Sequence, residues 1–110
     1  MSVRLSPATV SVLQVMMRTA SSRQYGYSLM RATGLKSGSL YPILERLEKA
    51  GWVESEWETV DEQKPGRPPR RYYRLTAFAH ESAPRAVHEY LRKTEPLTGA
   101  KKRPAWAGVP

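Results

Sequence analysis

The fold is decided by the segment Tyr25-Gly-Tyr-Ser-Leu-Met-Arg-Ala-Thr-Gly-Leu-Lys-Ser-Gly-Ser-Leu-Tyr-Pro-Ile-Leu-Glu-Arg-Leu-Glu-Lys-Ala-Gly51. Its pattern predicts a short helix over residues 25–33, a left-handed turn at Gly34 and a longer helix that Gly51 terminates. Within the longer helix, four apolar residues at positions i, i+3, i+4 and i+7 predict a buried stripe: Leu40, Ile43, Leu44 and Leu47. Two helices joined by so short a turn predict a helix-turn-helix, whose second helix enters the major groove of DNA.

The overall composition favours a polyanionic partner. The 110 residues include 18 Lys and Arg against 10 Asp and Glu, which gives a formal net charge of +8. This excess suits nucleic acid, and by itself it also suits an anionic membrane surface. The absence of cysteine excludes disulfides, thiolate zinc sites and cysteine nucleophiles. Neither a signal peptide nor an apolar run of about 20 residues is visible, so we expect one small cytoplasmic domain with no membrane partner.

The flanking segments predict two more helices and a β-hairpin. Ser6-Pro7 marks a helix start, because Ser is a good N-cap and Pro loses nothing at the first helical position. Residues 52–59 and 70–75 alternate with period two, which predicts two strands joined by a long basic tip. Thr76 is placed to cap a last helix, which Pro84 should bend or break. The predicted fold class is mainly α with a small β-hairpin.

Two details of the central helices can be stated from the sequence. In the second helix we expect Tyr27 and Met30 to turn inward, with Leu29 as a further candidate. The effect of Pro42 depends on where the third helix starts. If Ser39 is the N-cap, Pro42 lies in the first turn and costs nothing, whereas with Ser37 as the cap it removes one backbone hydrogen bond.

A helical wheel of the third helix separates a basic face from the core stripe. Ser39, Pro42, Arg46 and Lys49 share this face, whereas the flank beside it holds Tyr41, Glu45 and Glu48. Residues at the start of such a helix are placed for base edges or phosphates. Together with the hairpin tip, the predicted DNA-binding residues are Lys36, Ser37, Ser39, Tyr41, Pro42, Arg46, Lys49, Lys64, Arg67, Arg70 and Arg71. One alternative is that Arg46 and Lys49 are simply solvated or pair with Glu45, Glu48 or another acid. Another is that Tyr41 packs on a neighbouring helix.

The remaining polar and aromatic residues have structural interpretations. We expect Arg74 to pair across the hairpin with one of three acids: Glu54, Glu56 or Glu58. The aromatic residues of the hairpin suit strand packing better than a base-stacking platform: Trp52, Trp57, Tyr72 and Tyr73. His80 and His88 are interpreted as surface histidines rather than a metal-binding or proton-sensing pair. No phosphate loop, HExxH motif or nucleophile elbow occurs in the sequence, so we predict no enzyme, catalytic residue, metal site or cofactor.

Residues 25–76 resemble the PadR family of transcriptional regulators. The matching segments, in order, are Tyr25-Gly-Tyr27, Leu35 to Gly38, Ser39-Leu-Tyr-Pro-Ile-Leu44, Arg46-Leu47, Gly51, Glu54-Ser-Glu-Trp57, Gly66-Arg-Pro68 and Arg71-Tyr-Tyr-Arg-Leu-Thr76. The resemblance implies a winged helix-turn-helix domain over residues 1–76. It also implies that Ser39 to Ala50 is the recognition helix and that the hairpin containing Arg70 is the wing.

The same resemblance implies a homodimeric repressor that binds double-stranded DNA. Short members of the family pair through the C-terminal helix, here residues 77–94, with help from the first helix. The implied dimer contacts are the apolar residues Val12, Met16, Ala79, Ala83, Ala86, Val87, Tyr90 and Leu91. Residues 95–110 form a basic tail rich in Pro and Gly, which we expect to be disordered. Whether a small-molecule effector exists is left open.

Two other functions are compatible with the predicted fold. One is a sequence-indifferent nucleic-acid or nucleoid-binding protein, which would use the same basic surfaces. The other is a protein-interaction module, because a fold does not by itself determine function.

Overall fold

The computed structural model describes residues 3–19 and 23–98, which form four helices and a three-stranded antiparallel sheet. The elements in chain order are α1 (Pro7–Arg18), β1 (Gln24–Tyr25), α2 (Gly26–Thr33), α3 (Ser37–Lys49), β2 (Val53–Trp57), β3 (Arg71–Leu75) and α4 (Ala77–Thr98). The strand order is β1-β3-β2. A helix-turn-helix followed by a hairpin is the winged-helix architecture, so the predicted fold class is confirmed.

The N-terminal helix begins as its sequence predicts. The Ser6 hydroxyl accepts a hydrogen bond from the Thr9 N–H at 3.2 Å, and Pro7 occupies the first helical position. Val12 and Leu13 are fully buried, so α1 lies at the centre of the core. The helix therefore forms the support on which α2 and α4 pack.

The turn between α2 and α3 depends on a glycine in the left-handed conformation. Gly34 has φ +80° and donates its N–H to the Met30 carbonyl at 2.8 Å, as predicted for a helix terminator. The expectation that Tyr27 turns inward is wrong, because Tyr27 is 55% exposed. Leu29 is buried instead, since it shares the inner face of α2 with Gly26 at a spacing of three residues.

Helix α3 begins earlier than either serine alternative allows. Lys36 occupies the N-cap position of α3, without a side-chain cap, and its carbonyl accepts from the N–H groups of Ser39 and Leu40 at 2.9 Å. Pro42 is therefore an interior residue that removes the bond to the Gly38 carbonyl. The helix continues through it because the core stripe is intact: Leu40, Ile43, Leu44 and Leu47 are all buried, as predicted.

The hairpin forms where the two strands were predicted, with β2 and β3 slightly shorter than the predicted ranges. Glu54 lies opposite Arg74 and Ser55 lies opposite Tyr73, and the inner face of the sheet buries Val53, Tyr73 and Leu75. The two-residue strand β1 was not predicted. It pairs Gln24 with Tyr73 and Tyr25 with Tyr72, which joins the start of α2 to the wing.

The last helix differs from the prediction in two respects. The Thr76 hydroxyl caps it as expected, accepting from the Ala79 N–H at 3.2 Å. The helix is neither broken at Pro84 nor finished at residue 94, because α4 runs without interruption to Thr98. Pro84 is exposed, so its ring leaves the buried side of the helix undisturbed. Residues 95–98 are therefore helical rather than disordered, and the rest of the predicted tail, 99–110, lies outside the described residues.

Most of the side chains predicted to contact a second protomer lie inside the single chain. Five of them are at most 4% exposed and belong to the core: Val12, Met16, Ala79, Ala83 and Val87. Helix α1 of the same chain covers the apolar stripe of α4. The prediction that these five residues contact a second protomer is therefore wrong. Ala86 and Tyr90 are half-buried, and Leu91 is 44% exposed.

Candidate nucleic-acid interface

One face of α3 is exposed along its whole length. The structure exposes every residue of this helix and its N-cap that the sequence predicted as a DNA contact: Lys36, Ser37, Ser39, Tyr41, Pro42, Arg46 and Lys49. The exposure follows from the opposite stripe, which is fixed in the core. We call this set of residues the α3 face. Within the described chain, Lys36 and Arg46 have no ion-pair partner.

The two acidic residues of α3 have different surroundings. The Glu48 carboxylate accepts a hydrogen bond from the Ser55 hydroxyl at 2.7 Å and lies 3.9 Å from the Arg71 guanidinium. Glu48 therefore attaches α3 to the wing. Glu45 stays at the surface, where its carboxylate lies 3.7 Å from the Lys49 ammonium.

Tyr41 packs on the start of α2 and remains partly exposed. Its hydroxyl lies where a side chain at position 26 would have to stand, so that a Cβ on Gly26 would overlap the Tyr41 ring. Tyr41 is nevertheless 42% exposed. The packing interpretation is thus confirmed, and the exposed half of the ring is left available to a ligand.

The wing loop is organised around a buried carboxylate. Only 2% of the Glu58 side chain is exposed, and its oxygens accept from both Nη atoms of Arg67 at 3.0 Å and from the Arg70 N–H at 3.0 Å. The Arg67 hydrogen bonds, helped by the Arg70 backbone, hold the pKa of Glu58 below its ordinary value against the opposing effect of burial. The Arg67 side chain is only 22% exposed, and both of its Nη atoms are engaged in the ion pair with Glu58. The sequence suggested Glu58 as one possible partner for Arg74. In the structure the Arg74 Nε atom instead lies 3.0 Å from the Glu54 carboxylate.

A second cluster joins β1 to the wing through stacked cations. The Arg70 guanidinium lies 4.2 Å from the Tyr25 ring centroid, and that of Arg23 lies 4.2 Å from the Tyr72 ring centroid. The two rings meet edge to face at 5.8 Å. Both arginines thus contribute to the shape of the wing. Periodicity could not reveal this cluster, because two residues are too few to show a strand pattern.

Arg23 has carboxylate partners as well. Its two Nη atoms lie 2.9 Å from Glu56 and 2.8 Å from Glu62, and these hydrogen bonds raise the pKa of Arg23 above its ordinary value. They also lower the pKa of Glu62. A side chain just outside the predicted hairpin therefore ties the tip of the wing to the body of the domain.

The wing carries no net charge, although its tip looked basic in the sequence. Residues 53–75 contain five basic and five acidic side chains: Lys64, Arg67, Arg70, Arg71 and Arg74 against Glu54, Glu56, Glu58, Asp61 and Glu62. Arg71 is exposed and donates to the Ser55 hydroxyl at 2.8 Å. Lys64 is exposed and, in the part of the chain described, has no ion-pair partner. It is thus the wing cation most accessible to a ligand.

Three further features of the described residues are the potential metal ligands, the two histidines and the hydropathy of the helices. No group of three or more potential metal ligands occurs among the described residues. His80 and His88 are exposed on α4, in agreement with their interpretation as surface residues. Within residues 3–19 and 23–98, no helix is both long and apolar enough to span a bilayer.

Solved structures show where this architecture occurs. The smu.1704 protein of Streptococcus mutans UA159 is 24% identical with a TM-score of 0.64, and the match covers 94% of this chain and 97% of that one. A PadR family transcription regulator from Clostridium difficile R20291 is 20% identical with a TM-score of 0.65. The match covers 86% of this chain and 96% of that one. Both likenesses concern the fold.

A third structure is that of reduced AbfR bound to DNA, a protein of Staphylococcus epidermidis. It is 26% identical with a TM-score of 0.62, and the match covers 81% of this chain but 58% of AbfR. No curated protein matches the chain significantly. The model of the transcriptional regulator PadR-like family matches residues 12–82, which run from the middle of α1 to the first turns of α4 and include the α3 face and the wing. The chain therefore belongs to the transcriptional regulator PadR-like family.

Proposed function

We propose that the protein is a homodimeric, cytoplasmic repressor that binds specific sequences in double-stranded DNA. The observation that supports this most is the α3 face, an exposed polar and basic surface held rigid by the buried stripe behind it. The AbfR structure supports DNA as the partner, because a protein with a similar fold is bound to DNA there.

In this proposal α3 lies in the major groove. Lys36, Ser37 and Ser39 approach bases or phosphates with the first turn of the helix, where the free N–H groups of the helix start favour phosphate. Tyr41 and Pro42 offer ring surface to the groove, and Arg46 and Lys49 neutralise phosphates at its edge. Much of the affinity then comes from counterion release, so binding weakens steeply as salt rises.

The wing lies on the phosphate backbone or in the minor groove. Lys64 and Arg71 make its ionic contacts, because both are exposed. Arg67 and Arg70 act differently from the direct contacts that the sequence suggested. They hold the loop in shape through Glu58 and Tyr25, and so position the other two.

Dimerisation uses the outer side of α4. Leu91 is exposed there, and it borders Ala86 and Tyr90, which pack partly against the core of their own chain. A two-fold axis at this surface presents two α3 helices to half-sites about one helical turn apart, roughly 34 Å, on one side of the duplex. The operator is then a partly palindromic sequence.

Selection of bound duplexes from a random pool tests the proposal. A palindromic motif is expected, with a preference over unrelated DNA of at least about 10³. Sedimentation of the free protein should give the mass of a dimer, and a reporter placed behind the selected motif should be silenced. Tight but motif-free binding would replace the proposal with sequence-indifferent nucleic-acid binding. Failure to bind any duplex at low salt would favour a protein-interaction role.

A further inference from the structure

The outermost line of α3 contains an acidic residue at its centre. Gly38, Pro42, Glu45 and Lys49 follow one another at spacings of four, three and four residues, so they lie along one side of the helix. All four are exposed and lie opposite the buried stripe. Glu45 is thus the carboxylate of α3 that lies most directly opposite the core, among the residues of the α3 face, with 67% of its side chain exposed.

A carboxylate at this place opposes the approach of a polyanion. Two unit charges of the same sign repel by about 1 kcal/mol at 4 Å even in water. Glu48 avoids this repulsion because Ser55 and Arg71 hold it towards the wing. Glu45 has no such restraint in the described structure, and its one ionic neighbour, Lys49, belongs to the same exposed line.

The position of Glu45 along the helix suits the floor of the major groove. At about 1.5 Å per residue, its Cα lies roughly 10 Å along the axis from that of Gly38, so a helix that runs along the groove holds Glu45 over the base edges. Lys49 lies about 6 Å further along and so meets the phosphates at the edge of the groove. The ammonium that neutralises Glu45 in the free protein thereby becomes available to DNA.

We infer that Glu45 selects a cytosine in each half-site by accepting a hydrogen bond from its N4 amino group. This role rests on the proposed entry of α3 into the major groove. An ionised carboxylate only accepts, so it is repelled by the oxygen and nitrogen acceptors of guanine and by the O4 of thymine. Adenine has an amino group next to the acceptor N7, whereas the amino group of cytosine is flanked by a C–H. The carboxylate therefore favours cytosine over the other three bases.

The test compares random-duplex selections with wild type, Glu45→Ala, Glu45→Gln and the control Glu81→Ala. Glu81 is exposed on α4, and its replacement makes the same change in net charge away from the α3 face. For wild type, replacing the selected cytosine should cost about tenfold in affinity. Glu45→Ala should tolerate all four bases at that position, and Glu45→Gln should shift it towards adenine, which a glutamine amide recognises through N6 and N7. Glu81→Ala should select the wild-type motif.

The outcomes separate the two proposals. A wild-type motif that Glu45→Ala selects unchanged at every position would overturn the role of Glu45 and leave the proposed function intact. A wild-type pool without any motif would overturn sequence-specific binding and the role of Glu45 together. Circular dichroism of each variant is expected to match wild type, since residue 45 is exposed and Ala and Gln both favour helix.

Discussion

Glu58 and Arg67 form a two-point ion pair across the base of the wing loop, with both guanidinium Nη atoms 3.0 Å from the carboxylate. The connection between β2 and β3, residues 58–70, contains three prolines and buries few apolar side chains. Its shape therefore depends on this pair and on the Arg70 N–H that shares the carboxylate. A residue pair in the wing thus determines where Lys64 and Arg71 are held.

Loss of this carboxylate should loosen the wing while leaving the helices folded. In Glu58→Gln, the Arg70 amide should lose protection against hydrogen exchange by about tenfold, since its acceptor is weakened. Affinity for the selected DNA should fall because Lys64 and Arg71 are no longer positioned. Glu54→Gln is the matched control. The ion pair of Glu54 with Arg74 is half-exposed, so Glu54→Gln should lower the free energy of unfolding by no more than about 0.5 kcal/mol. Equal protection of the Arg70 amide in both variants would contradict the prediction.

The same pair predicts how stability responds to acid. Arg67 lowers the pKa of folded Glu58 below the ordinary value of 4.5, so the unfolded chain takes up the proton first as pH falls. The stabilisation is therefore complete above that ordinary value and is lost as pH drops through the lower pKa of the folded state. Urea unfolding between about pH 6 and pH 3 should show a smaller loss for Glu58→Gln than for wild type. Parallel curves for the two proteins would exclude a contribution from this carboxylate.

Gly26→Ala should disturb Tyr41. The new methyl group overlaps the Tyr41 hydroxyl. Because this end of the Tyr41 side chain can move aside, the free energy of unfolding should fall by about 1 kcal/mol. DNA affinity should fall about as much as in Tyr41→Ala, since both changes remove the ring from its place. Gly38→Ala meets no atom within 4 Å and should stabilise α3 by up to about 1 kcal/mol. Chemical denaturation and gel shifts measure both effects, and a Gly26→Ala protein with wild-type affinity would exclude Tyr41 from the interface.

The unpaired cations should account for part of the salt dependence. Lys36→Ala and Lys64→Ala should each reduce the slope of log K against log salt by about 1, with little change in the selected motif. Arg85 provides the control, because it is exposed on α4 away from both surfaces. Binding titrations at several salt concentrations give the slopes. If Arg85→Ala changes the slope as much as the lysine variants do, the interface has been assigned to the wrong side of the molecule.

Pro42 and Pro84 offer a comparison of two helix interiors. Replacing either by Ala restores one backbone hydrogen bond, to the carbonyl of Gly38 or of His80, and should raise stability by up to about 3 kcal/mol. Only Pro42→Ala should change DNA affinity, because Pro42 belongs to the α3 face. Thermal unfolding and binding assays on the two variants separate these effects. A loss of affinity in Pro84→Ala equal to that in Pro42→Ala would contradict the prediction.

The buried stripe of α3 and the glycine terminations of α2 and α3 were predictable because they depend on local rules. The stripe from Leu40 to Leu47 follows from helical periodicity, and Gly34 and Gly51 adopt the positive φ that helix termination favours. A stripe indicates burial but does not identify the covering partner. For this reason Ala79, Ala83 and Val87 were assigned to a second protomer, although α1 of the same chain covers them.

The arrangement of the wing could not be predicted, because it depends on contacts distant in the sequence. The two-residue strand at Gln24–Tyr25 exists only through its pairing with β3. The choice of Glu58 rather than Glu54 for Arg67 depends on the path of the loop, which alternation along a strand does not specify.

The balance of charges within the wing has a consequence for how the protein finds its target. Opposite charges a few ångströms apart cancel at distances beyond the screening length of about 8 Å in physiological salt. An approaching nucleic acid therefore feels little attraction from the wing until the two surfaces nearly touch. Long-range steering therefore falls to the helices, and the ionic contacts of the wing act only after the first encounter, once the two surfaces are close together.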